Sequence, residues 1–477
     1  MMAQEKKSDF DRIRHVFDLQ KKKSIALRSE PAAERKRRLE KLKQWITVNR
    51  KRIEESVYKD FKKPATEVSI SEIYPVLAEI KHALANIDEW TRPKKIDAPI
   101  LYLGTRSEIR YEPRGVCLII SPWNYPFNLC LGPLVSCIAA GNTAMLKPSE
   151  LTQHTSALID GMITELFEED TVAVVEGGTE IATMLLSLPF DHFFFTGSPS
   201  VGKIVMKAAA EHLASITLEL GGKSPAIIDA SANIKDAAKR IAFGKFINNG
   251  QTCIAPDYIL IEEKIQNQFL AELKLCIEEM FGDGAPVSED SLHYARIVNS
   301  KHFERISSLL DEAVDRGAKV EVSGISNPQT RFLQPTVLSG VAMNSKIMEE
   351  EIFGPLLPMV TIKSIDDAIA VINSKPKPLA LYIFSNNQSA KRKIVEQTSA
   401  GGVCINDTVL QFTHPGLPFG GVSNSGIGNS HGYYGFLAFS HQKPVLRQKT
   451  GFAFAYFLYP PYTNRVKKTV DLLLRWF

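Results

Sequence analysis

The chain has 477 residues, 44% of them apolar and 23% charged, with a formal net charge of +4. That length exceeds a single hydrophobic core and points to two or three domains. So small a net charge gives no electrostatic ground for a nucleic-acid partner. The cysteines, at 117, 130, 137, 253, 276 and 404, form no CxxC pair and no Cys/His cluster. They offer no basis for a zinc site or a disulfide framework and fit a reducing compartment.

The opening segment "MMAQEKKSDFDRIRHVFD" is charged and lacks the apolar core of a secretory signal. No run of about 18 apolar residues occurs, so no membrane-spanning helix is expected and the protein reads as cytoplasmic. From Leu39 through Leu42, Trp45, Ile46, Ile53 and Val57 to Phe61, apolar residues recur at helical spacing. The basic residues between them, including "RKRR" and "NRKR", read as a solvated face rather than a nucleic-acid patch. From about residue 109 the texture changes to short apolar runs alternating with helical patterns: Val116 to Ile120, the run ending at Lys147, "TVAVVEGG" and "DHFFFTG". This alternation indicates a parallel sheet covered on both faces. Asn124, Lys147, Gly177 and Gly197 fall at the carboxyl ends of those strands, where such sheets gather ligands. A second α/β stretch runs from "SPAIIDASANI" to about residue 405, with "QNQFLAELKLCIEEMF" as a helix and "PLALYIFS" as a strand. The glycine-rich stretch 406–450 reads as an extended loop or arm.

Four stretches can carry chemistry. In "FFFTGSPSVGKI" a strand meets Gly197 and Gly202 and then a helical segment from near Val201, an arrangement that offers unpaired N–H groups to a phosphate. The spacing is one residue short of a P-loop, Ile204 stands where a magnesium-binding hydroxyl is needed, and GxGxxG is absent, so a modified dinucleotide loop fits better than a nucleoside triphosphatase. In "ITLELGGKSP", Glu219 ends an apolar strand and can be read as a ribose ligand, as a general base of raised pKa or as a turn cap. The diglycine after it implies that something large approaches the backbone. In "PWNYP", Asn124 sits in a prolyl turn, either as an oxyanion donor or as a plain turn former. In "FINNGQTCIAPDY", Cys253 alone among the cysteines occupies a polar, glycine-containing segment. A reactive thiolate there requires a lowered pKa and exposure, whereas the other cysteines lie in apolar or helical patterns that suit inert buried thiols.

Taken in chain order, "PWNYP", "LKPSE", "FTGSPSVGK", "LELGGKSP", "GQTC" and "EEIFGP" resemble the aldehyde dehydrogenase superfamily, from about residue 25 to about 445. "CIAPDYIL", "KPLALYIFS", "SAGGVCIND" and "LPFGGVSNSGIG" resemble its class 3 and fatty-aldehyde branch. The resemblance implies an α/β fold with a Rossmann-like NAD(P)-binding domain, a catalytic domain and a small β oligomerisation arm. The corresponding boundaries are 1–225 for the NAD(P)-binding domain (with part of the arm near 80–110), 226–405 for the catalytic domain, 406–450 for a bridging or oligomerisation segment and 451–477 for a tail.

It further implies that Cys253 attacks an aldehyde, with the Asn124 side chain and the Cys253 N–H holding the oxyanion. Hydride passes to the nicotinamide, and Glu219 activates the water that hydrolyses the resulting thioester. Lys147 and Glu150 then face the adenosine ribose, Gly197, Ser198 and Gly202 border the pyrophosphate, and Glu351 meets the nicotinamide ribose with Phe353 nearby. The cofactor is NAD or NADP, the substrate a medium- to long-chain aliphatic or aromatic aldehyde, and the assembly a homodimer. Pro199 departs from the family's threonine and is expected to stiffen the cofactor loop. Two rival functions are an acylating dehydrogenase that uses coenzyme A, which Glu219 argues against, and a non-catalytic membrane-associated scaffold. In the tail, Val466, Val470, Leu473, Leu474 and Phe477 share a helical face flanked by Arg465, Lys467, Lys468 and Arg475. Such a helix either lies in a membrane interface or packs on the sister subunit.

Overall fold

Two parallel sheets organise the chain. The computed structural model describes residues 2–476 apart from 100, 101, 103, 323 and 452. The first sheet has six strands in the order Gly426–Ile427, Ser215–Leu220, His192–Gly197, Val116–Ile120, Thr143–Lys147 and Val172–Val174. All are parallel except Gly426–Ile427, which runs antiparallel to its neighbour and pairs Gly426 with Glu219. Val116–Ile120 and Thr143–Lys147 are buried at every position, as runs covered on both faces must be. Cys117 and Ile119 face the helices Tyr74–Trp90 and Asn128–Ala140. Val116, Leu118 and Ile120 face Ile13, Val16 and Phe17 of Met2–Leu27 and Val205 and Ala209 of Pro199–Glu211.

The second sheet has seven strands, in the order Lys319–Val322, Thr336–Ser339, Leu356–Ile362, Tyr258–Glu262, Pro225–Ile228, Ala380–Phe384 and Gly402–Ile405. Only Lys319–Val322 is antiparallel. A small third sheet joins Lys94–Ile96, Thr105–Pro113 and Ser440–Gln448, the last two in unbroken register from Ser440 opposite Pro113 to Gln448 opposite Thr105.

Two expectations change. The periodic stretch up to Phe61 is helical as read, divided into Ala32–Val48 and Arg50–Phe61 where Asn49 leaves helical geometry at φ −96°, ψ 18°. Within its basic run, Arg35 is buried rather than solvated, and its Nη1 caps the Ala139 and Ala140 carbonyls at 3.2 and 3.0 Å. The 406–450 stretch is only partly an arm. It also supplies Gly426–Ile427 to the first sheet and the helix Gly432–Ala438.

The tail forms the short 3₁₀ segment Phe454–Leu458 and the helix Asn464–Trp476, with Phe457 56% and Leu474 71% exposed. Phe477, read as part of its apolar face, lies outside the described residues. No helix among the described residues is long and apolar enough to cross a membrane.

Candidate active site

The carboxyl ends of the first sheet and the loop before Tyr258–Glu262 meet around one apolar cavity. Glu219, Cys253, Phe412, Phe419, Ser430 and His431 are among its lining residues. It adjoins a wider cleft of about 320 Å³ between the helix Tyr74–Trp90 and residues 412–415, and the two share Asn128, Gly132, Phe412 and His431.

Cys253 follows a left-handed turn at residues 248–250 and is itself half-buried. Burial does not distinguish it as expected, because Cys276 and Cys404 are half-buried too. Nor is its thiol acidified: burial, then the nearby carboxyls of Glu351 and Glu219, push it up to about 12, against the pull of the Cys253 and Ile254 N–H groups. These surroundings disfavour the thiolate, so the nucleophile has to be activated at the moment of reaction. The Tyr382 hydroxyl donates to the Ile254 carbonyl and accepts from Gln411 Nε2 at 3.2 Å, fixing the loop just past the cysteine.

Asn124 lies in the turn after Val116–Ile120 and is 2% exposed. Its Nδ2 donates to the Gln251 carbonyl at 2.9 Å, two residues before Cys253. That bond uses one of the two amide hydrogens, leaving the other for a ligand. Next door, the Tyr125 hydroxyl and Thr252 Oγ1 are 2.7 Å apart, so "PWNYP" and "GQTC" are tied together twice.

Glu219 is 6% exposed, and both carboxyl oxygens are buried without a good donor. Burial pushes the group up to about 8, and only the Ser430 hydroxyl, which also reaches the Phe419 carbonyl at 3.3 Å, opposes the shift. Of the three sequence readings, the turn cap has no bond to support it. The position on the cavity that holds Cys253 fits the base.

The large group expected against the diglycine is the carboxyl of Glu351. A Cβ at Gly221 would stand 2.1 Å from Glu351 Oε2, and one at Gly222 would stand 3.2 Å from Pro378 Cα. Burial first, then Asp257, raises Glu351 to about 8, and its Oε1 is buried without a protein partner. The Lys223 ammonium pairs with Asp257 and donates to the Ile347 and Glu350 carbonyls at 2.8 Å. Asp257 Oδ1 accepts from the Ile352 N–H at 3.0 Å, so this pair fixes the backbone on both sides of Glu351. Phe353 has the left-handed φ of 48° and packs edge-on against Trp123, with ring centroids 5.3 Å apart.

Lys147 ends its strand with Nζ 2.6 Å from Glu150 Oε2, and desolvation of the Glu150 carboxyl is outweighed by that contact, which lowers its pKa. Ser198 is the N-cap of Pro199–Glu211, its Oγ accepting from Val201 N at 3.4 Å. Pro199 occupies the first helical position, where a missing N–H breaks no helix bond, although it removes one donor from the loop. The residues present thus suit a dinucleotide: an open helix start after the Gly197 strand, a part-buried ion pair at the end of Thr143–Lys147, two strands away in the same sheet, and an orphaned carboxyl oxygen on Glu351.

The family model of the aldehyde dehydrogenase family matches residues 2–445. The chain belongs to the aldehyde dehydrogenase family. It is 44% identical to the 4,4'-diaponeurosporen-aldehyde dehydrogenase of Staphylococcus aureus, over 94% of this chain and 95% of that protein. It is 43% identical to aldehyde dehydrogenase family 3 member A2 of Mus musculus, over 94% and 92%. Its fold follows the substrate-bound structure of Staphylococcus aureus AldH with a TM-score of 0.92 and 42% identity, covering 97% of this chain and 99% of that one. These relatives bear out the class 3-like branch, and the family uses NAD or NADP.

Sequence reading missed the supports behind this aldehyde dehydrogenase site. Lys63, Glu67, Glu72, Lys223 and Asp257 are all buried charges or half-buried ones turned inward, and although Lys63 and Glu72 are nine positions apart, each of the five also meets a partner at least 34 positions away. Lys245 is fully buried eight residues before Cys253, its Nζ is unpaired, and burial lowers it to about 8. The one available signal was proximity, since Lys223 follows the diglycine and Asp257 comes four residues after Cys253.

Proposed function

We propose that this chain oxidises medium- to long-chain aliphatic or aromatic aldehydes to carboxylic acids, with Cys253 as nucleophile, Asn124 as oxyanion donor and Glu219 as hydrolytic base. The observation that carries this reading is one apolar cavity that Cys253 and Glu219 line together. The Cys253 thiol gives up its proton to solvent as its sulfur adds to the aldehyde carbon, and the oxygen that gains the electron pair is met by the free Asn124 amide hydrogen and the Cys253 N–H. When bound, NAD or NADP supplies the hydride acceptor that turns this adduct into a thioester. Lys147 and Glu150 would hold its adenosine ribose, Gly197, Ser198 and Gly202 its pyrophosphate, and Glu351 and Phe353 its nicotinamide end. Glu219 takes a proton from water as the water oxygen attacks the thioester carbon. The C–S bond then breaks, the thiolate leaves, and the acid is released.

Chain length rests on the apolar walls of the cavity and on the resemblance to the fatty-aldehyde branch. The test is NADH and NADPH formation across aldehydes from propanal to hexadecanal, with benzaldehyde and cinnamaldehyde. The reading requires turnover that improves with chain length or an aromatic ring, and activity confined to the shortest members contradicts it. Asn124→Ala is expected to lower kcat about 10²- to 10³-fold with little change in cofactor affinity. Steady-state kinetics beside fluorescence titration of the cofactor check this, and an unchanged kcat removes Asn124 from the mechanism.

We also propose a domain division in which the NAD(P)-binding unit ends near residue 225, the catalytic unit near 405, and 406–450 bridges between sheet and arm, a reading that the two sheets support. We further read the protein as a cytoplasmic homodimer. The β arm supports this, together with the edge strand Gly402–Ile405, on which Val403 and Ile405 are exposed at the open side of the second sheet. Exposed Tyr456, Phe457, Leu472 and Leu474 beside Arg465, Lys467 and Lys468 favour a tail that lies in a membrane interface. Full-length protein should float with anionic liposomes while a 1–450 truncation stays in solution, and equal partitioning refutes this role.

A further inference from the structure

The backbone leading to Cys253 is held in a costly conformation. Asn248, Asn249 and Gly250 take φ of 52°, 56° and 71°, three left-handed residues in succession. Asn and Gly tolerate that region better than other residues, but as single positions rather than in a run, so three in succession persist only where their surroundings over-determine them. A Cβ on Gly250 would lie 2.2 Å from the Gly354 carbonyl, so the turn is also wedged against the loop that carries Glu351 and Phe353.

The main-chain clamp on this turn comes from a distant helix. Glu67 Oε1 accepts the Asn248 N–H at 2.7 Å. Once seated, Asn248 sends its Nδ2 to the Asn124 carbonyl at 2.7 Å and to the Gln251 carbonyl at 3.1 Å. Gln251 in turn receives the Asn124 amide and holds the Asn248 carbonyl with its own Nε2 at 2.9 Å. From the other side, Lys63 Nζ bridges Glu72 Oε1 at 2.7 Å and the Asn124 carbonyl at 3.2 Å, with both charged side chains fully buried.

A local irregularity sets this up. Ala65–Val68 passes into a π-helical turn at Ser69–Ile73 before the helix Tyr74–Trp90 begins. The extra residue of a π turn brings residues five apart onto one face, so Glu67 and Glu72 both face the site, whereas a regular α-helix would set them about 140° apart.

Given the roles assigned above to Cys253 and Asn124, on which this inference rests, we propose that Glu67 is a positioning residue. By accepting the Asn248 N–H it keeps the left-handed 248–250 turn in place, and the turn aims the nucleophile and its oxyanion donor together. The group needed is an acceptor at that point, not a charge. Glu67→Gln, which keeps an oxygen of the same reach, should retain most of kcat, and Glu67→Leu should lose roughly tenfold to a hundredfold. Cofactor affinity by fluorescence titration and KM for aldehyde should stay within about twofold in both, and alkylation of Cys253 by iodoacetamide should change only in Glu67→Leu.

A second pair tests the turn without touching Glu67. Asn248→Gly and Asn248→Ala lose the same side chain, but only glycine holds positive φ freely, so the glycine variant should be the more active. An unchanged kcat in Glu67→Leu, an equal fall in Glu67→Gln, or an alanine variant as active as the glycine one overturns the proposal. Should Glu67→Leu fail to fold, the Asn248 pair decides. Cys253→Ser, run alongside, checks the underlying reading separately, and if it keeps turnover both fall.

Discussion

Replacing Cys253 by alanine is expected to abolish aldehyde-dependent formation of NADH or NADPH, a loss on the order of 10⁴- to 10⁶-fold in kcat, while cofactor affinity stays close to wild type. The size follows from chemistry rather than packing. Without sulfur no covalent adduct forms, and the oxyanion donors have only a ground-state carbonyl to bind. Cofactor binding is spared because the groups suited to it lie elsewhere: Lys147 and Glu150 at one strand end, Ser198 at the start of Pro199–Glu211, and Glu351 against Gly221. Steady-state rates with fluorescence titration of the cofactor check both halves. A Cys253→Ala protein with every property unchanged would instead match a scaffold.

The second large effect belongs to Glu219. Glu219→Gln should release about one equivalent of reduced cofactor per site in a burst and then stall, with steady turnover falling about 10²- to 10⁴-fold. Glutamine keeps the shape but cannot take the proton of the attacking water. The wild-type pH profile follows from the same residue. Burial holds its carboxyl near 8, and a base acts only when ionised, so about a tenth of the sites are competent at pH 7. The rate of thioester hydrolysis should therefore rise from pH 6 to about pH 9, and Glu219→Gln should show no such rise. Stopped-flow traces at several pH values separate burst from steady rate. An acyl-CoA product on adding coenzyme A would point to the acylating alternative, in which the thioester is passed on rather than hydrolysed.

Much of this architecture is legible in the chain. Strands buried on both faces write themselves as unbroken apolar runs, and Val116–Ile120 and the strand ending at Lys147 fall where the pattern puts them. The helix Gln266–Phe281 matches its stretch residue for residue. Short motifs mark out Asn124, Glu219 and Cys253, because turn residues, strand ends and glycines carry local signals.

What stayed hidden is what depends on distant partners. Nothing near Glu67 announces that its carboxyl meets Asn248, and nothing near Gly221 announces Glu351, 130 positions on. The break at Asn49 and the short strand at Gly426–Ile427 are decided by tertiary packing, which local propensity does not encode. The surroundings of the Cys253 thiol are hidden in the same way. A resting thiolate requires a lowered pKa, and the fold instead encloses the group with two carboxyls and raises it. Activation therefore belongs to the assembled complex rather than to the resting cavity.

The central claim is that Cys253 carries the acyl group that Glu219 releases. The most direct measurement is intact-mass analysis and peptide mapping of Glu219→Gln protein, quenched after mixing with NAD, or NADP, and hexadecanal. The expected result is one acyl group per chain, its mass that of the acid less water, on the peptide containing Cys253. A burst of reduced cofactor with Cys253 unmodified, or the acyl group on another residue, would contradict it.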